Sequence, residues 1–461
     1  MTMLKTRLVA AVAVFLILPV AAAEDLTVAY QLALQSDPLL KEAEANMFAI
    51  LETKPQARSA LLPQLSFSAF YQTIESEGGS SFLSQDPMGN PQVGQTLFDT
   101  EQDDEQWQLQ LQQTVFRWDQ WATLKQAGET VARAEIDYRA AQQDLIVRVA
   151  LRYFNVLGAK DTLDAAEAAK EAIARQLEQS EKRFEVGLIA ITDVQESQAA
   201  YDRAVAAVIA GQRDLATSKE FLREITGVYF ENLASPTDEL PLVEPDPRND
   251  DDWVDRAMEQ NFRLIGSRLG VDIAREEVKI RRAGHYPTLD LFVTHTDFDR
   301  SGEQGLNNAP GLPGSADAFS ETDNIRLQLN FPIYSGGGVS SRVREAVYLH
   351  QAAKQQLARV ARETERQARD AYLGVISDVA RVKSLKQALA SSETALRATE
   401  AGYEVGTRTT VDVLDGRRNL FQAQTDYAIS RYDYIVNYMR LKFAAGTLNE
   451  EDVQRVNRWL E

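Results

Sequence analysis

The chain has 461 residues, carries 49 basic and 68 acidic side chains for a net charge of −19, and contains no cysteine. The negative charge argues against nucleic acid as a partner, and the lack of cysteine excludes disulfides, thiolate metal sites and a lipidated N-terminal cysteine. Hydrophobic residues make up 44% of the chain, which is enough to bury a core.

Residues 1–23 predict a secretory signal peptide. Lys5 and Arg7 precede an apolar run at 8–18, and three alanines at 21–23 form a small-residue cleavage site. The apolar run is too short to span a membrane as an anchor, so a cleaved signal is the favoured interpretation.

The mature chain begins with a first repeat, residues 24–227. It starts with a helical pattern and continues with two predicted strands, at about 64–74 and 105–116, separated by a loop at 75–103. A long helical hairpin follows, with its tip near Gly187. In the second strand, glutamine and threonine alternate with the apolar residues Trp107, Leu109, Leu111 and Val115.

A proline-rich and acidic stretch at 228–252 is predicted to be a connector, an equatorial segment between repeats. The second repeat, residues 253–446, replays the first, and residues 447–461 form a C-terminal equatorial segment. The elements of the second repeat are a helix, strands at about 288–298 and 324–334 around a loop at 300–323, and a long hairpin with its tip near Gly406. Gly187 and Gly406 stand 219 positions apart, as do Asp193 and Asp412, which indicates a tandem duplication.

These lengths favour an α+β membrane protein. At 1.5 Å per residue, the helix predicted for residues 119–185 is about 100 Å long, which suits a protein that spans a wide compartment. Strands of about ten residues suit a tilted membrane crossing. Four strands cannot close a barrel and open edges are not tolerated in lipid, so several chains must join. Two chains would give a side-chain-filled barrel and three a lumen, so a trimeric channel is the simplest closure.

The motifs themselves resemble those of a known family. The segments FEVGLIAITDVQ at 184–195, GYEVGTRTTVDVLD at 402–415, SALLPQL at 59–65 and GTLNEED at 446–452 are similar to the TolC family of outer-membrane efflux and secretion channels. The likeness covers the mature chain in order and is closer to the non-lipidated members. It implies a trimer whose 12-stranded outer-membrane β-barrel, four strands per chain, continues into a periplasmic α-helical barrel of coiled-coil hairpins.

The resemblance also implies roles for residues at the two hairpin tips. Asp412 and Asp415 match the family's pore constriction, and Tyr403 and Arg408 match closing contacts whose partners are Thr192 and Asp193. The tips that dock an adaptor protein correspond to Val186, Gly187, Leu188, Val405, Gly406 and Thr407. The implied partners are two further copies of the chain, outer-membrane lipid, a periplasmic adaptor and an inner-membrane transporter of the RND, ABC or MFS type.

Each assignment has a simpler structural alternative. Asp412 and Asp415 stand at helical spacing after the tip, where negative charge is favourable near a helix N-terminus. Thr192 and Asp193 could cap the second helix, and Arg408 could be a solvated cation. For the whole chain, the alternative is a periplasmic coiled-coil adaptor or scaffold without a pore. No motif predicts catalysis, a cofactor or a metal site, because the three histidines lack ligand spacing.

Overall fold

The computed structural model describes residues 24–237, 240–306, 314–315 and 317–460, so the predicted signal peptide lies outside the described residues. The chain forms two compact units. The first takes the chain up to Lys41, Gln142–Ala257 and the part from Gln367 onward, and the second takes Glu42–Ala141 and Met258–Arg366.

Helices account for most of the described residues. In chain order they are α1 (Leu26–Ser36), α2 (Pro38–Leu51), α3 (Thr53–Ser59), α4 (Trp118–Glu185), α5 (Ile191–Thr226), α6 (Asp250–Gln260), α7 (Phe262–Ala283), α8 (Gly338–Glu404), α9 (Thr410–Ala444) and α10 (Glu450–Asn457). None of these helices, within the part of the chain that the structure describes, is both long and apolar enough to cross a bilayer.

The helical pattern at the start of each half is interrupted. Asp37 adopts an extended conformation after α1, because the residue before a proline is disfavoured in the helical region, and Pro38 opens α2. Near the start of the second half, Asn261 is extended between α6 and α7, where its side chain accepts a 3.1 Å hydrogen bond from the Leu264 N–H. Each predicted first helix is therefore a series of shorter helices.

The second unit contains the whole sheet. Its strands are β1 (Gln64–Gln85), β2 (Pro91–Phe116), β3 (Thr288–Leu306), β4 (Gly314–Ser315) and β5 (Ala318–Asn330). All pairings are antiparallel: β1 pairs with β2, β2 with β3, and β3 with both β4 and β5.

Near the helical ends of the strands, the register sorts the sheet into an apolar and a polar face; farther along, the first of these faces carries acidic residues such as Asp103 and Glu105. One row of neighbours across β1, β2, β3 and β5 consists of Leu65, Leu111, Val293 and Ile325. The next row, whose side chains point to the opposite face, consists of Ser66, Gln110, Thr294 and Asn324. The alternation predicted from the sequence is thus shared in register by all four long strands.

The loop predicted at 75–103 is mostly strand, which is a correction. The β1–β2 ladder continues without a break as far as Gln85 and Pro91. The turn between them is short: the Asp86 carboxylate accepts hydrogen bonds from the Met88 and Asn90 N–H groups, at 2.9 and 2.8 Å, and Gly89 has φ +85°. The extension was not visible in the sequence because ladder hydrogen bonds join backbones and need no apolar alternation.

The strands of the second half also differ from the predicted bounds. β3 extends through part of the loop predicted at 300–323, and residues 307–313 and 316 of that loop lie outside the described residues. At the other end, β5 stops at Asn330, short of the predicted 334. Pro332 explains the earlier end, because proline has no N–H to donate to a ladder.

The first unit has an aromatic and aliphatic core. Tyr153 and Phe154 of α4 are buried, and the Phe154 ring stacks on Tyr432 of α9 with centroids 5.8 Å apart. The Tyr153 hydroxyl donates a 2.7 Å hydrogen bond to the carbonyl of Ala234, in the connector. These contacts hold the connector and two long helices together.

Candidate functional site

The end of α4 is a tight left-handed turn. The Gly187 N–H donates to the Phe184 carbonyl, and the Leu188 N–H donates to the Arg183 carbonyl, both at 2.8 Å. Gly187 has φ +74°, a conformation that costs side-chain-bearing residues about 1 kcal/mol or more. This hydrogen-bond pair is a Schellman motif, which satisfies the last carbonyls of the helix and reverses the chain.

The end of α8 repeats the same turn. The Gly406 N–H donates to the Tyr403 carbonyl at 3.1 Å, the Thr407 N–H donates to the Gly402 carbonyl at 2.8 Å, and Gly406 has φ +77°. Both glycines were predicted as hairpin tips, and the structure ends α4 and α8 beside them.

The α9 helix begins with a complete capping box. The Thr409 hydroxyl oxygen accepts from the Asp412 N–H at 3.2 Å, and the Asp412 carboxylate accepts from the Thr409 N–H at 2.8 Å. The Thr409 N–H bond holds the pKa of Asp412 below its usual value. Asp412 thus has the structural role that the sequence analysis gave as the alternative, which is to stabilise the start of a helix. Its second carboxylate oxygen stays available for other contacts.

The α5 helix starts differently from the prediction. Its N-cap is Ala190, so Thr192 lies inside the first turn and does not cap the helix. Asp193 contributes to the cap from within, because its carboxylate accepts from the Ala190 N–H at 3.3 Å. The N-cap is the residue at which the backbone becomes helical. Thr192 lies two residues beyond that point, so its side chain cannot act as the N-cap.

Tyr403 contacts the first hairpin of the same chain. Its ring lies 4.7 Å from the guanidinium carbon of Arg183 at the end of α4, a cation–π distance. Its hydroxyl accepts a 3.3 Å hydrogen bond from Thr410 on α9. Within one chain, the structure therefore brings Tyr403 to Arg183 and Thr410, and no hydrogen bond among the described residues joins it to Thr192 or Asp193.

Arg408 is exposed and folds back over the α8 end. A Cβ added to Gly402 would meet the Arg408 Cγ at 2.8 Å, so glycine is what lets the arginine stem lie there. Over the residues that the structure covers, the Arg408 guanidinium makes no hydrogen bond or ion pair within the chain. It is thus an exposed cation at the tip.

Asp415 lies one helical turn beyond Asp412. Its carboxylate is exposed and pairs with Arg418 of the same helix, with 3.1 Å between the oxygen and Nη2. Both aspartates are therefore on α9 close to the tip, as the sequence indicated, and neither is sequestered by another helix in the described structure.

One contact at this end of the molecule was not predicted. The Arg417 side chain, 19% exposed, donates from Nη2 at 3.0 Å and from Nε at 3.3 Å to the Glu400 carboxylate of α8. Its Nη1 also donates to the carbonyl of Ala172 in α4. Arg417 therefore joins three helices from both hairpins, and only the tertiary structure reveals it, because its partners are far away in sequence.

The tips also expose apolar side chains. Val186 is 70% exposed, Leu188 72% and Val405 76%. Apolar side chains this exposed at a chain reversal carry no packing role inside the chain, and clustered exposure of this kind typically marks an interaction surface.

Comparisons with known proteins agree on the family. The family described as outer membrane efflux protein matches residues 29–228 and 253–447. Outer membrane protein TolC of Escherichia coli (strain K12) is 35% identical over 95% of this chain and 85% of its own length. The alkaline protease secretion protein AprF of Pseudomonas aeruginosa is 29% identical over 93% of this chain and 85% of its own length.

A solved structure shows the same fold. The Campylobacter jejuni CmeC outer membrane channel aligns with a TM-score of 0.72 at 17% identity, over 95% of this chain and 90% of that one. The resemblance stated from the motifs is therefore confirmed. The chain belongs to the outer membrane efflux protein family and is an outer-membrane exit duct of a Gram-negative bacterium.

Proposed function

We propose that three copies of this chain close a 12-stranded β-barrel in the outer membrane, continued by a periplasmic barrel of helical hairpins. The duct conducts solutes or proteins passively, because the energy comes from an inner-membrane transporter. Each chain contributes four long strands and two internal repeats, whose hairpins end in the two matching glycine turns.

The exposed apolar face of the sheet is the observation that carries this proposal. Leu65 is 66% and Ile325 76% exposed, although both stand in a continuous apolar row. The outer edges of β1 and β5 have no partner strand among the described residues. Lipid would cover the apolar face, and neighbouring copies would pair the two edges, which lipid cannot satisfy.

The hairpin tips form the gate in this proposal. Asp412 and Asp415 from three chains would place six carboxylates around the axis, which attracts cations. Arg408, whose guanidinium makes no hydrogen bond or ion pair with the other described residues, would bind Thr192 and Asp193 of a neighbouring chain, with Tyr403 bracing the inner hairpin. Arginine suits this role because its planar fork binds a carboxylate through two hydrogen bonds. Opening is an outward movement of the second hairpin once these contacts break.

The exposed tips dock a periplasmic adaptor. Val186, Leu188 and Val405 supply apolar contacts, and the Gly187 and Gly406 turns supply the shape. The adaptor in turn recruits a transporter of the RND, ABC or MFS type. The relatives named for efflux and for protease secretion support service in efflux, in type I secretion, or in both. The duct itself needs no cofactor and catalyses no reaction.

The scaffold alternative is not favoured, because a periplasmic coiled coil explains the hairpins but leaves the amphipathic sheet without a use.

Recordings in planar lipid bilayers distinguish a channel from a scaffold directly. We expect the purified protein to form a trimer that is stable on unheated gels and to produce discrete channels, and Arg408→Ala to raise their conductance. A folded protein that forms neither trimers nor channels contradicts the duct. If channels form but no substitution at the hairpin tips changes their conductance, the gate is contradicted and the duct is not.

A further inference from the structure

The polar face of the sheet carries few charges. Along the strands that the structure describes, the residues that share a face with Ser66 and Gln110 include four charged side chains: Asp104, Asp290, Arg300 and Arg326. The rest are mainly glutamine, serine, threonine and asparagine. If this face lines the duct, each of the four charges interacts electrostatically with the ions and solutes that pass through it.

Three of the four charges are neutralised by a partner. The Arg300 guanidinium binds Asp104 through two hydrogen bonds, at 2.6 and 3.0 Å. Asp290 is buried and accepts from Arg117, which follows β2, at 3.1 and 3.3 Å. Each carboxylate is therefore already occupied by an arginine, and Asp290 is not available to the neighbouring β5 strand.

Arg326 is the remaining charge and has no acidic partner among the described residues. It stands directly opposite Phe292 in the β3–β5 register, and its guanidinium carbon lies 4.9 Å from the centre of that ring. The side chain as a whole is exposed. One side of the planar guanidinium is thus held by an aromatic ring, and the rest faces the space beyond the sheet.

We propose that Arg326, seated on Phe292, is an anion-binding element in the wall of the duct that favours aromatic anions during passage. The inference rests on the proposed trimer, in which it becomes a ring of three uncompensated positive charges. A guanidinium binds carboxylate, sulfonate or phosphate oxygens in its plane and stacks on aromatic faces. The ring of Phe292 limits the rotamers of Arg326 and positions it for both contacts.

This ring opposes the acidic constriction at Asp412 and Asp415. The Arg326 ring is positively charged and the constriction is negatively charged, so the preference of the whole duct for cations or anions is the combined effect of both. To isolate the sheet, the measurement is made in an Asp412→Asn/Asp415→Asn background. Reversal potentials in a KCl gradient are then compared for Arg326→Gln, Arg326→Lys and, as a neutral control on the same strand and face, Gln328→Ala.

We expect Arg326→Gln to raise the ratio of potassium to chloride permeability, and Arg326→Lys and Gln328→Ala to leave it unchanged. Three charges acting over about one Debye length in 0.1 M salt change an ion's local concentration on the order of twofold or more. Asn324→Arg, which adds a charge to the same face, should shift the ratio in the opposite direction. Trimers on unheated gels show that each variant has assembled.

Block by organic anions tests the aromatic preference. 2-Naphthalenesulfonate and methanesulfonate are added on the barrel side at equal concentrations. We expect naphthalenesulfonate to reduce the current more strongly, and the difference to shrink in Arg326→Gln and, to a lesser extent, in Phe292→Leu.

The outcomes separate this proposal from the one on which it rests. Suppose that Asp412→Asn/Asp415→Asn changes the selectivity of wild-type channels, but Arg326→Gln leaves the permeability ratio of that double variant unchanged. This result overturns the Arg326 element and leaves the duct intact. Equal block by the two anions in every variant removes the aromatic preference. If the wild-type trimer forms no channels, the duct fails and the Arg326 proposal fails with it.

Discussion

The Arg417 contact leads to a specific prediction about the closed state of the proposed gate. Replacing Arg417 with methionine keeps most of the apolar stem and removes the three hydrogen bonds to Glu400 and to the Ala172 carbonyl. We expect the closed arrangement of the two hairpins to lose stability, because these bonds join α9 to α8 and to α4 of the other hairpin. The hairpins should then separate more often.

The magnitude follows from the geometry. A hydrogen bond to a charged group contributes about 1.5–3 kcal/mol when it is buried. Glu400 is 38% exposed, so its interaction with Arg417 is screened by water and the estimate is reduced to about 1–2 kcal/mol in all. That free energy corresponds to a change of about 5- to 30-fold in the ratio of open to closed channels.

Single-channel recording in planar bilayers measures this ratio as the open probability at fixed voltage. Glu400→Gln should reproduce part of the effect, since it weakens the charge-assisted bonds but leaves the bond to Ala172. Arg175→Gln is the matched control, because Arg175 lies on α4 close to Ala172 and pairs in the described structure with Glu171, which is exposed on the same helix. An open probability for Arg417→Met equal to that of wild type and of the control would refute the reasoning.

Three further predictions concern the same hairpins. In reversal-potential measurements, Asp412→Asn/Asp415→Asn should reduce cation preference, and unchanged selectivity would move the filter elsewhere. Thr409→Ala removes the hydroxyl that donates a hydrogen bond to the Asp412 carboxylate. This bond helps to hold the pKa of Asp412 below its usual value, so its loss raises that pKa. The carboxylate is charged above its pKa and loses its charge as the pH falls through it. Cation preference should therefore disappear at a higher pH in Thr409→Ala than in wild type, and identical midpoints would contradict this. Finally, Leu163→Cys/Gly211→Cys should form a disulfide, since a Cβ on Gly211 would lie 3.5 Å from the Leu163 Cβ. This bridge stays within the first hairpin, so we expect a faster band on non-reducing gels with open probability unchanged.

Sequence reasoning located the features that backbone chemistry dictates. Gly187 and Gly406 could be predicted as chain reversals because a left-handed turn at a helix end favours glycine. The beginning of β1 followed from Pro63, which stops the preceding helix, and from the alternation that begins at Leu65. The far ends of β1 and β2 could not be predicted, because Gly78, Gly79 and the acidic residues beside them show no apolar period.

The contacts of the tip residues were harder to predict. Asp412 serves in a capping box with Thr409, and the Thr-x-x-Asp spacing of that box is present in the sequence, whereas the pore role that the resemblance implies for Asp412 stays a prediction. The contact between Arg183 and Tyr403, and the link through Arg417, depend on how α4, α8 and α9 pack. Such contacts join residues that are far apart in sequence, and a single sequence carries no signal for them.

The packing beneath α9 indicates how polar contacts would hold the proposed gate closed. A half-open groove of about 200 Å³ lies between α4, α5 and α9. Alanines of α4 and α5 line it, and α9 contributes Leu414 and Phe421 beside the charged Asp415, Arg417 and Arg418. The short alanine side chains make few contacts with α9 across this groove, so apolar packing holds α9 less firmly here than in a filled core. Directional bonds such as those of Arg417 then account for a larger share of the closed-state stability. Such bonds break over a short movement, so the helices can separate without first dismantling an extensive apolar interface.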